Sequence, residues 1–124
     1  MLGNGTVCTT IAVKDLTAAK EFYGGVLGLR QLGENMGGVA FGSAEGSVFI
    51  YESQYAGSNQ ATYASWDVDD VAATVEELKQ KGVSFEHYDM PETTWEGDVA
   101  VMGEMKSAWF KDPDGNILAL NNVT

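Results

Sequence analysis

Few side chains of this sequence have a residue type suited to chemistry, and they are scattered. Cys8 is the only cysteine and His87 the only histidine in the 124 residues. A nucleophilic thiol needs an adjacent base or cationic surroundings, and the acidic chain offers little of either, so we expect Cys8 to be a plain buried thiol. His87 ends a polar stretch, so we expect it to be exposed to solvent rather than to act as a general base.

Two pairs of carboxylates deserve comparison with known kinds of site. Asp112 and Asp114 superficially resemble a calcium loop, but the further oxygen ligands and the closing glutamate are missing, so a turn is the better account. Glu52 and Asp67 would suit an acid–base pair, yet two of eighteen acidic residues near one site is close to chance. Neither pair by itself predicts catalysis.

The charge balance excludes several classes of partner. Seven Lys and Arg against eighteen Asp and Glu give a formal charge of −11, so we expect no binding to nucleic acid or to anionic membranes. The acidity either attracts cationic ligands or serves solubility. One cysteine excludes a disulfide framework. With no long apolar run and no basic start typical of a signal peptide, we expect a cytoplasmic protein.

The first half of the chain predicts a strand, a helix and a hairpin. Asp15 is placed to cap a helix that runs to about Leu27, with its last turn weakened by Gly24 and Gly25 and its end at Gly28. Ala44, Glu45 and Gly46 suit the turn of the hairpin. The predicted strands are residues 7–13, 38–42 and 47–52.

The second half of the chain predicts a similar order of elements. A helix is predicted after Asp69 and Asp70, with Val71, Val75 and Leu78 as its buried stripe and Gly82 at its end. Residues 112–115 have the Pro and Gly positions of a type I turn. The predicted strands are residues 62–68, 83–87, 99–102, 107–110 and 117–120.

The two helix entrances align, and this indicates an internal duplication. Residues 13–19 match residues 68–74, and each half is then a strand, a helix and about three strands. Helices that cover one face of a sheet leave the other face for a core, a cavity or an interface. We expect one domain over residues 1–124, with one module at about 5–57 and the second at about 60–122.

Three motifs in order resemble the vicinal oxygen chelate superfamily, which includes glyoxalase I, bleomycin-resistance proteins and extradiol dioxygenases. They lie in residues 11–29, 67–83 and 110–116, so the resemblance covers nearly the whole chain. It implies an α+β fold of paired βαβββ modules, whose mixed sheet curls around a cavity with the helices outside, and a homodimer. It implies no particular reaction, because this fold hosts several chemistries.

Metal-binding members of that superfamily place His or Glu at four positions. Carried over to this sequence, these positions fall on Cys8, Ile50, Tyr63 and Ala119. Ile50 and Ala119 have no donor atom, and neutral Cys8 and Tyr63 must ionise to become good ligands. Glu52 is the only nearby replacement. Because a catalytic metal usually needs three or more protein ligands, we expect no metal and no other cofactor.

Strand alternation predicts which side chains line the implied cavity. Cys8, Ile50, Tyr63 and Ala119 should each bring the residues two positions along the same strand. Trp109 should face inward while Phe110 packs beneath it. The four ligand positions, their neighbours on the same strands and Trp109 together give the predicted ligand-binding residues, which are Cys8, Thr10, Ile50, Glu52, Tyr63, Ser65, Trp109, Ala119 and Asn121.

Trp95 completes this candidate set. It lies in a polar loop, where its ring either stacks on a planar or cationic ligand, with Glu96 and Asp98 supplying charge, or packs in the core or against a partner subunit. Met102 offers the same region an adaptable apolar wall.

We therefore expect a metal-free protein that binds a small, cationic or aromatic compound such as an antibiotic, as bleomycin-resistance proteins do. The first alternative is an enzyme, a glyoxalase- or dioxygenase-type lyase or isomerase, with an unexpected metal or with proton transfer by Glu52, Tyr63 or Cys8. The second is an interaction module whose cavity is filled by its own side chains.

Overall fold

The computed structural model describes residues 2–122, which form two α-helices and ten strands in two mixed sheets. This is an α+β fold, as the sequence predicts. The chain divides into two compact units, residues 1–56 and residues 57–124. Within residues 2–122, neither helix has the length and apolar character to cross a membrane.

The first unit is a four-stranded sheet in the order β1-β4-β3-β2, in which β1 runs parallel to β4 and the other neighbours are antiparallel. Strand β2 was not predicted, because all six of its residues are exposed and no burial pattern marks it. The elements are β1 (Thr9–Val13), α1 (Leu16–Lys20), β2 (Arg30–Asn35), β3 (Gly38–Ser43) and β4 (Gly46–Glu52).

Helix α1 begins as predicted, but its second half winds differently. The carboxylate of Asp15 accepts hydrogen bonds from the backbone N–H groups of Thr17 and Ala18, at 3.0 and 3.2 Å. After Lys20 the chain continues as a π-helical segment, Glu21–Val26. Gly24 lies against the Phe41 ring, which a Cβ atom at this position would meet at 3.3 Å. The glycine therefore permits a close approach of helix and sheet.

The register of β1, β3 and β4 corrects one prediction about the first sheet. Ile11 pairs with Ile50 and Ile50 pairs with Val39, so these three side chains share one face. That face also carries Phe41, whose ring lies 6.5 Å from the Tyr23 ring of the π-helical segment. Ile50 is therefore on the helix-covered face, with 0% of its surface exposed. It was wrong to expect it to face the open side of the sheet.

The second unit is a six-stranded sheet, in which β5-β10-β9-β8-β7 is the main order and β6 also pairs with β9. Strand β10 runs parallel to β5, and the other pairs are antiparallel. The elements are β5 (Thr62–Asp67), α2 (Val71–Gln80), β6 (Phe85–Glu86), β7 (Thr94–Glu96), β8 (Val99–Met102), β9 (Met105–Lys111) and β10 (Ile117–Asn121).

Helix α2 has the cap and the stripe that the sequence predicts. Asp70 accepts a hydrogen bond from the backbone N–H of Ala73 at 3.0 Å, and Val71, Val75 and Leu78 are buried. The helix ends just before Gly82, whose φ of 93° lies in the left-handed region. Local capping therefore sets the starts of α1 and α2.

The Asp112–Gly115 segment is a turn, as predicted. The backbone N–H of Gly115 donates to the carbonyl of Asp112 at 3.0 Å. The Asp112 carboxylate accepts from the backbone N–H groups of Asp114 and Asn116 and from the amide nitrogen of Asn116. This buried carboxylate is committed to the turn.

Candidate functional site

One face of the second sheet gathers most of the predicted ligand-binding residues. The register pairs Ala119 with both Trp109 and Ser65, and pairs Asn121 with Asp67. Across the hairpin, Trp95 pairs with Ala100, and Ala100 pairs with Ser107, the partner of Asn121. Paired residues point to the same side of a sheet. We call this side the aromatic face; it carries the predicted residues Ser65, Trp95, Met102, Trp109, Ala119 and Asn121, together with Asp67.

The opposite face of this sheet is packed. Phe110 and Leu118 pair with each other and are fully buried, and Leu120 is nearly so. The Phe85 ring lies 5.5 Å from the Phe110 ring. Phe110 therefore faces into the packed layer and Trp109 faces away from it, which is the alternation that the sequence predicts for this pair.

Four rings form a continuous cluster on the aromatic face. Tyr88 meets Trp109 edge to face, with 5.8 Å between ring centroids. Trp109 lies 6.3 Å from Trp95, and Trp95 stacks on His87 at 4.1 Å with an interplanar angle of 6°. Trp95 lies in β7 rather than in the predicted loop. One side of its indole is thus occupied by a residue of the same unit.

A cavity of about 240 Å³ opens beside this cluster. Its walls include Trp109, Tyr88, Met90 and Ile117, so the lining is mainly aromatic and apolar. Thr62 also lines the cavity, and its hydroxyl accepts a hydrogen bond from Nε1 of Trp109 at 3.2 Å, which fixes the indole. Such a lining suits a small, flat organic molecule.

Tyr88 carries an unusual phenol group. Its oxygen is buried, and within residues 2–122 it meets no hydrogen-bond partner. Burial raises the pKa of Tyr88, and the negative charge of Glu86 raises it further. The phenol therefore remains neutral at physiological pH and is a poor candidate for the proton-transfer base of an enzyme.

Asp98 links the hairpin of β7 and β8 to α2 and to the segment that follows β6. Its Oδ2 forms a salt bridge with Nζ of Lys79 in α2, and its Oδ1 accepts from Nε2 of His87 at 2.7 Å. The hydrogen bonds from Lys79 and then His87 lower the pKa of Asp98, and the carboxylate in turn raises the pKa of Lys79. Asp98 is therefore an anion at neutral pH with both oxygens engaged.

The predicted ligand-binding residues of the first unit lie outside the aromatic face, which belongs to the second sheet. Cys8 is exposed, so the expectation of a buried thiol was wrong; its sulfur accepts a hydrogen bond from the Ser47 hydroxyl at 3.4 Å. Thr10 and Glu52 are exposed. Glu52 shares its face with Ile50, two residues earlier on β4, so it too lies on the helix side of that sheet.

The comparison with known protein families identifies the fold. The family model described as Glyoxalase/Bleomycin resistance protein/Dioxygenase superfamily matches residues 6–120. The chain belongs to this superfamily. No curated protein sequence matches the chain significantly.

Several solved structures superpose over almost the whole chain. A glyoxalase family protein from Enterococcus faecalis has a TM-score of 0.73 at 19% identity and covers 98% of this chain and 99% of its own. The fosfomycin resistance protein FosX from Listeria monocytogenes has a TM-score of 0.73 at 20% identity, with 98% and 94% covered. A glyoxalase/bleomycin resistance protein from Streptomyces sp. CB03234 has a TM-score of 0.64 at 25% identity, with 90% and 95% covered.

Metal-binding members of the superfamily carry ligands at four positions, but the residues at those positions here do not fit a metal. Of the four equivalent positions, Ile50 and Ala119 have no donor atom, and both are buried. Tyr63 lies where the pairing of β5 with β10 shifts register, between the pairs Thr62–Ile117 and Ala64–Leu118. Across residues 2–122, no three His, Cys, Asp or Glu side chains form a group that could hold a metal ion.

The sequence analysis missed several contributors to the aromatic face, among them Tyr88, Met90 and His87. Tyr88 and Met90 line the cavity, and His87 stacks on Trp95. Tyr88 and His87 lie in a polar stretch, and Met90 precedes a proline in a loop, so no periodic pattern marks any of them. Only the tertiary structure brings the segment that follows β6 to Trp109 and Trp95.

Proposed function

We propose that this superfamily member binds a small, flat, aromatic or cationic molecule in the cavity beside Trp109, and does so without a metal. The observation that carries the proposal is the cavity of about 240 Å³ walled by Trp109, Tyr88, Met90 and Ile117. Burying a flat apolar body against these side chains supplies the binding free energy.

Charge near the cavity supports a preference for cations. Glu86 pairs with Trp109 in the sheet, and its negative charge adds to the effect of burial, the larger cause, in raising the pKa of the Tyr88 phenol. Lys111 offsets this charge only partly, with its Nζ 3.9 Å from Oε1 of Glu86. The formal charge of −11 adds a field that attracts cations to the whole chain.

The donor set supports a binding mode that uses no metal. Two of the four positions at which metal-binding relatives carry ligands are hydrocarbon here, and Ile50 is turned toward the helix. Metal analysis of protein purified without chelators tests this part. We expect less than stoichiometric metal; stoichiometric zinc, nickel, manganese or iron would instead favour the lyase or isomerase alternative.

Binding is tested with two ring systems of matched size. N-methylquinolinium is cationic, and quinoline is neutral at neutral pH. Each is titrated into the protein while the three tryptophan indole N–H signals are followed by NMR. We expect saturable shifts of the Trp109 signal with both compounds and tighter binding of the cation. No shift of Trp109 up to millimolar ligand would contradict the proposal.

A cavity-filling variant supplies the control. Met90→Trp adds bulk to the cavity wall without removing any hydrogen bond shown in the structure, so it should abolish the Trp109 shifts. Met36→Trp places the same side chain at a fully exposed position of the first unit and should bind as the wild type does. Equal binding by both variants would show that the ligand binds outside the Trp109 cavity.

The homodimer and the cytoplasmic location remain predictions. Size-exclusion chromatography with light scattering measures the first, because a homodimer has twice the mass of the 13.3 kDa chain. A monomer at micromolar concentration would restrict the proposal to a site complete within one chain.

A further inference from the structure

We propose that Trp95 and Asp98 form a second binding site, for a protonated planar nitrogen heterocycle, and that His87 occupies this site from within the chain. The site is distinct from the Trp109 cavity, whose lining includes neither Trp95 nor Asp98. His87 shows which chemistry the site accepts, since its ring makes both contacts that such a ligand requires.

The first contact is the stack. The imidazole lies parallel to the indole, with 4.1 Å between centroids and 6° between planes. A flat ring presents its whole face to the indole in this geometry, and a protonated ring gains further attraction from the electron-rich face of the tryptophan. A planar heterocycle of similar width would replace the imidazole without any movement of Trp95.

The second contact is a charged hydrogen bond. Nε2 of His87 donates to Oδ1 of Asp98 at 2.7 Å, a length typical of a bond to a carboxylate. Lys79 holds the other oxygen of Asp98, and only 21% of the aspartate side chain is exposed. The acceptor is therefore held in position whether His87 or another N–H donor faces it.

His87 can give up its place because it is weakly anchored. Its side chain is 47% exposed. It directly follows the two-residue strand β6, and no regular strand begins again before Thr94. A ligand that displaces the ring therefore breaks one hydrogen bond and one stack and replaces both.

The wild-type protein provides a direct test, because His87 is the only histidine. The probe is 2-aminobenzimidazole, which is planar, has N–H donors and is largely protonated slightly below neutral pH. We expect it to shift the His87 ring signals in NMR toward their values in the unfolded chain while it shifts the Trp95 indole signal. Saturable binding that leaves the His87 signals in place would overturn the proposal.

Removing the internal occupant gives the second test. In His87→Ala the probe no longer competes with an attached ring, so its affinity should rise at least about tenfold. The matched control probe is 1,3-dimethylbenzimidazolium, a cation with a similar ring but no N–H donor. It should bind His87→Ala at least about tenfold more weakly than 2-aminobenzimidazole does. Equal affinities would show that Asp98 takes no part.

Three variants separate this site from the Trp109 cavity and from loss of folding. Met90→Trp fills the cavity and should leave the His87 displacement intact. Trp66→Phe changes a tryptophan on the packed face, where Trp66 pairs with Leu120, and should also leave it intact. Trp95→Phe should weaken it, with circular dichroism confirming the fold. Loss of displacement in Met90→Trp would assign the probe to the cavity and overturn the second site.

Discussion

The imidazole of His87 lies flat against the indole of Trp95, 4.1 Å away, although the strands that precede and contain them share no backbone pairing. Strand β6, which ends beside His87, pairs with β9, whereas β7, which holds Trp95, pairs with β8. The stack and the Asp98 hydrogen bond therefore connect two parts of the sheet through side chains alone. Four predictions follow from contacts around this face and from the turn that ends β9.

Asp98 should contribute to the acid sensitivity of folding. Its pKa is lowered in the folded state by Lys79 and His87, so its contribution is present above its unfolded pKa of about 4 and is lost as the pH falls through the lowered value. Asp98→Asn should therefore be less stable than the wild type at neutral pH, and the difference should shrink under acid. Urea unfolding at neutral and at acidic pH measures the difference in the free energy of unfolding, with Asp89→Asn as an exposed control. A difference that widens in acid would contradict the prediction.

Tyr88→Phe should leave the protein as stable as the wild type or more stable, by up to about 1 kcal/mol. The substitution keeps the ring against Trp109 and removes a buried hydroxyl that has no partner among residues 2–122. Urea denaturation measures the free energy of unfolding. A loss of more than about 1 kcal/mol would mean that the hydroxyl makes a stabilising contact in solution, for example with an ordered water.

Glu86→Gln should weaken the binding of a cationic ligand more than the binding of a neutral ligand of the same size. The variant removes the negative charge of the residue that pairs with Trp109 in the sheet, so N-methylquinolinium should bind several-fold more weakly. Neutral quinoline should bind about as well as to the wild type. Parallel NMR titrations give the ratio; equal losses for both compounds would show that Glu86 acts on the shape of the cavity rather than on charge.

Asn116→Ala should destabilise the second unit by about 2 kcal/mol. Its amide nitrogen donates to Oδ2 of Asp112 at 2.8 Å, and its Oδ1 accepts from the backbone N–H of Gly57 at 3.2 Å. Asn116 is fully buried, so the alanine leaves the Asp112 carboxylate short of a donor. Urea unfolding is the measurement, and Asn59→Ala, at an exposed turn, should cost much less.

The two sheets differ in how well alternation predicted their faces. In β9 and β10 the pattern was informative, because Trp109 and Asn121, which are partly exposed, alternate with Phe110 and Leu120, which are buried. In β4, Val48 and Ile50 alternate with Phe49 and Tyr51, so both sets are apolar and either could be buried. The pairing of Ile50 with Ile11 and Val39 decides the matter and places Ile50 under the helix.

The sequence alone determined the superfamily fold, the helix starts at Asp15 and Asp70, and the face of the second sheet that carries Trp109. The fold followed from the resemblance of three ordered motifs to the superfamily. The helix starts and the Trp109 face depend on short-range chemistry, namely a cap within one turn or alternation along one strand. The cavity beside Tyr88 and the His87–Trp95 stack were decided only by the tertiary structure. They depend on which strands pair and in which register, and that is a balance of packing among residues far apart in the chain.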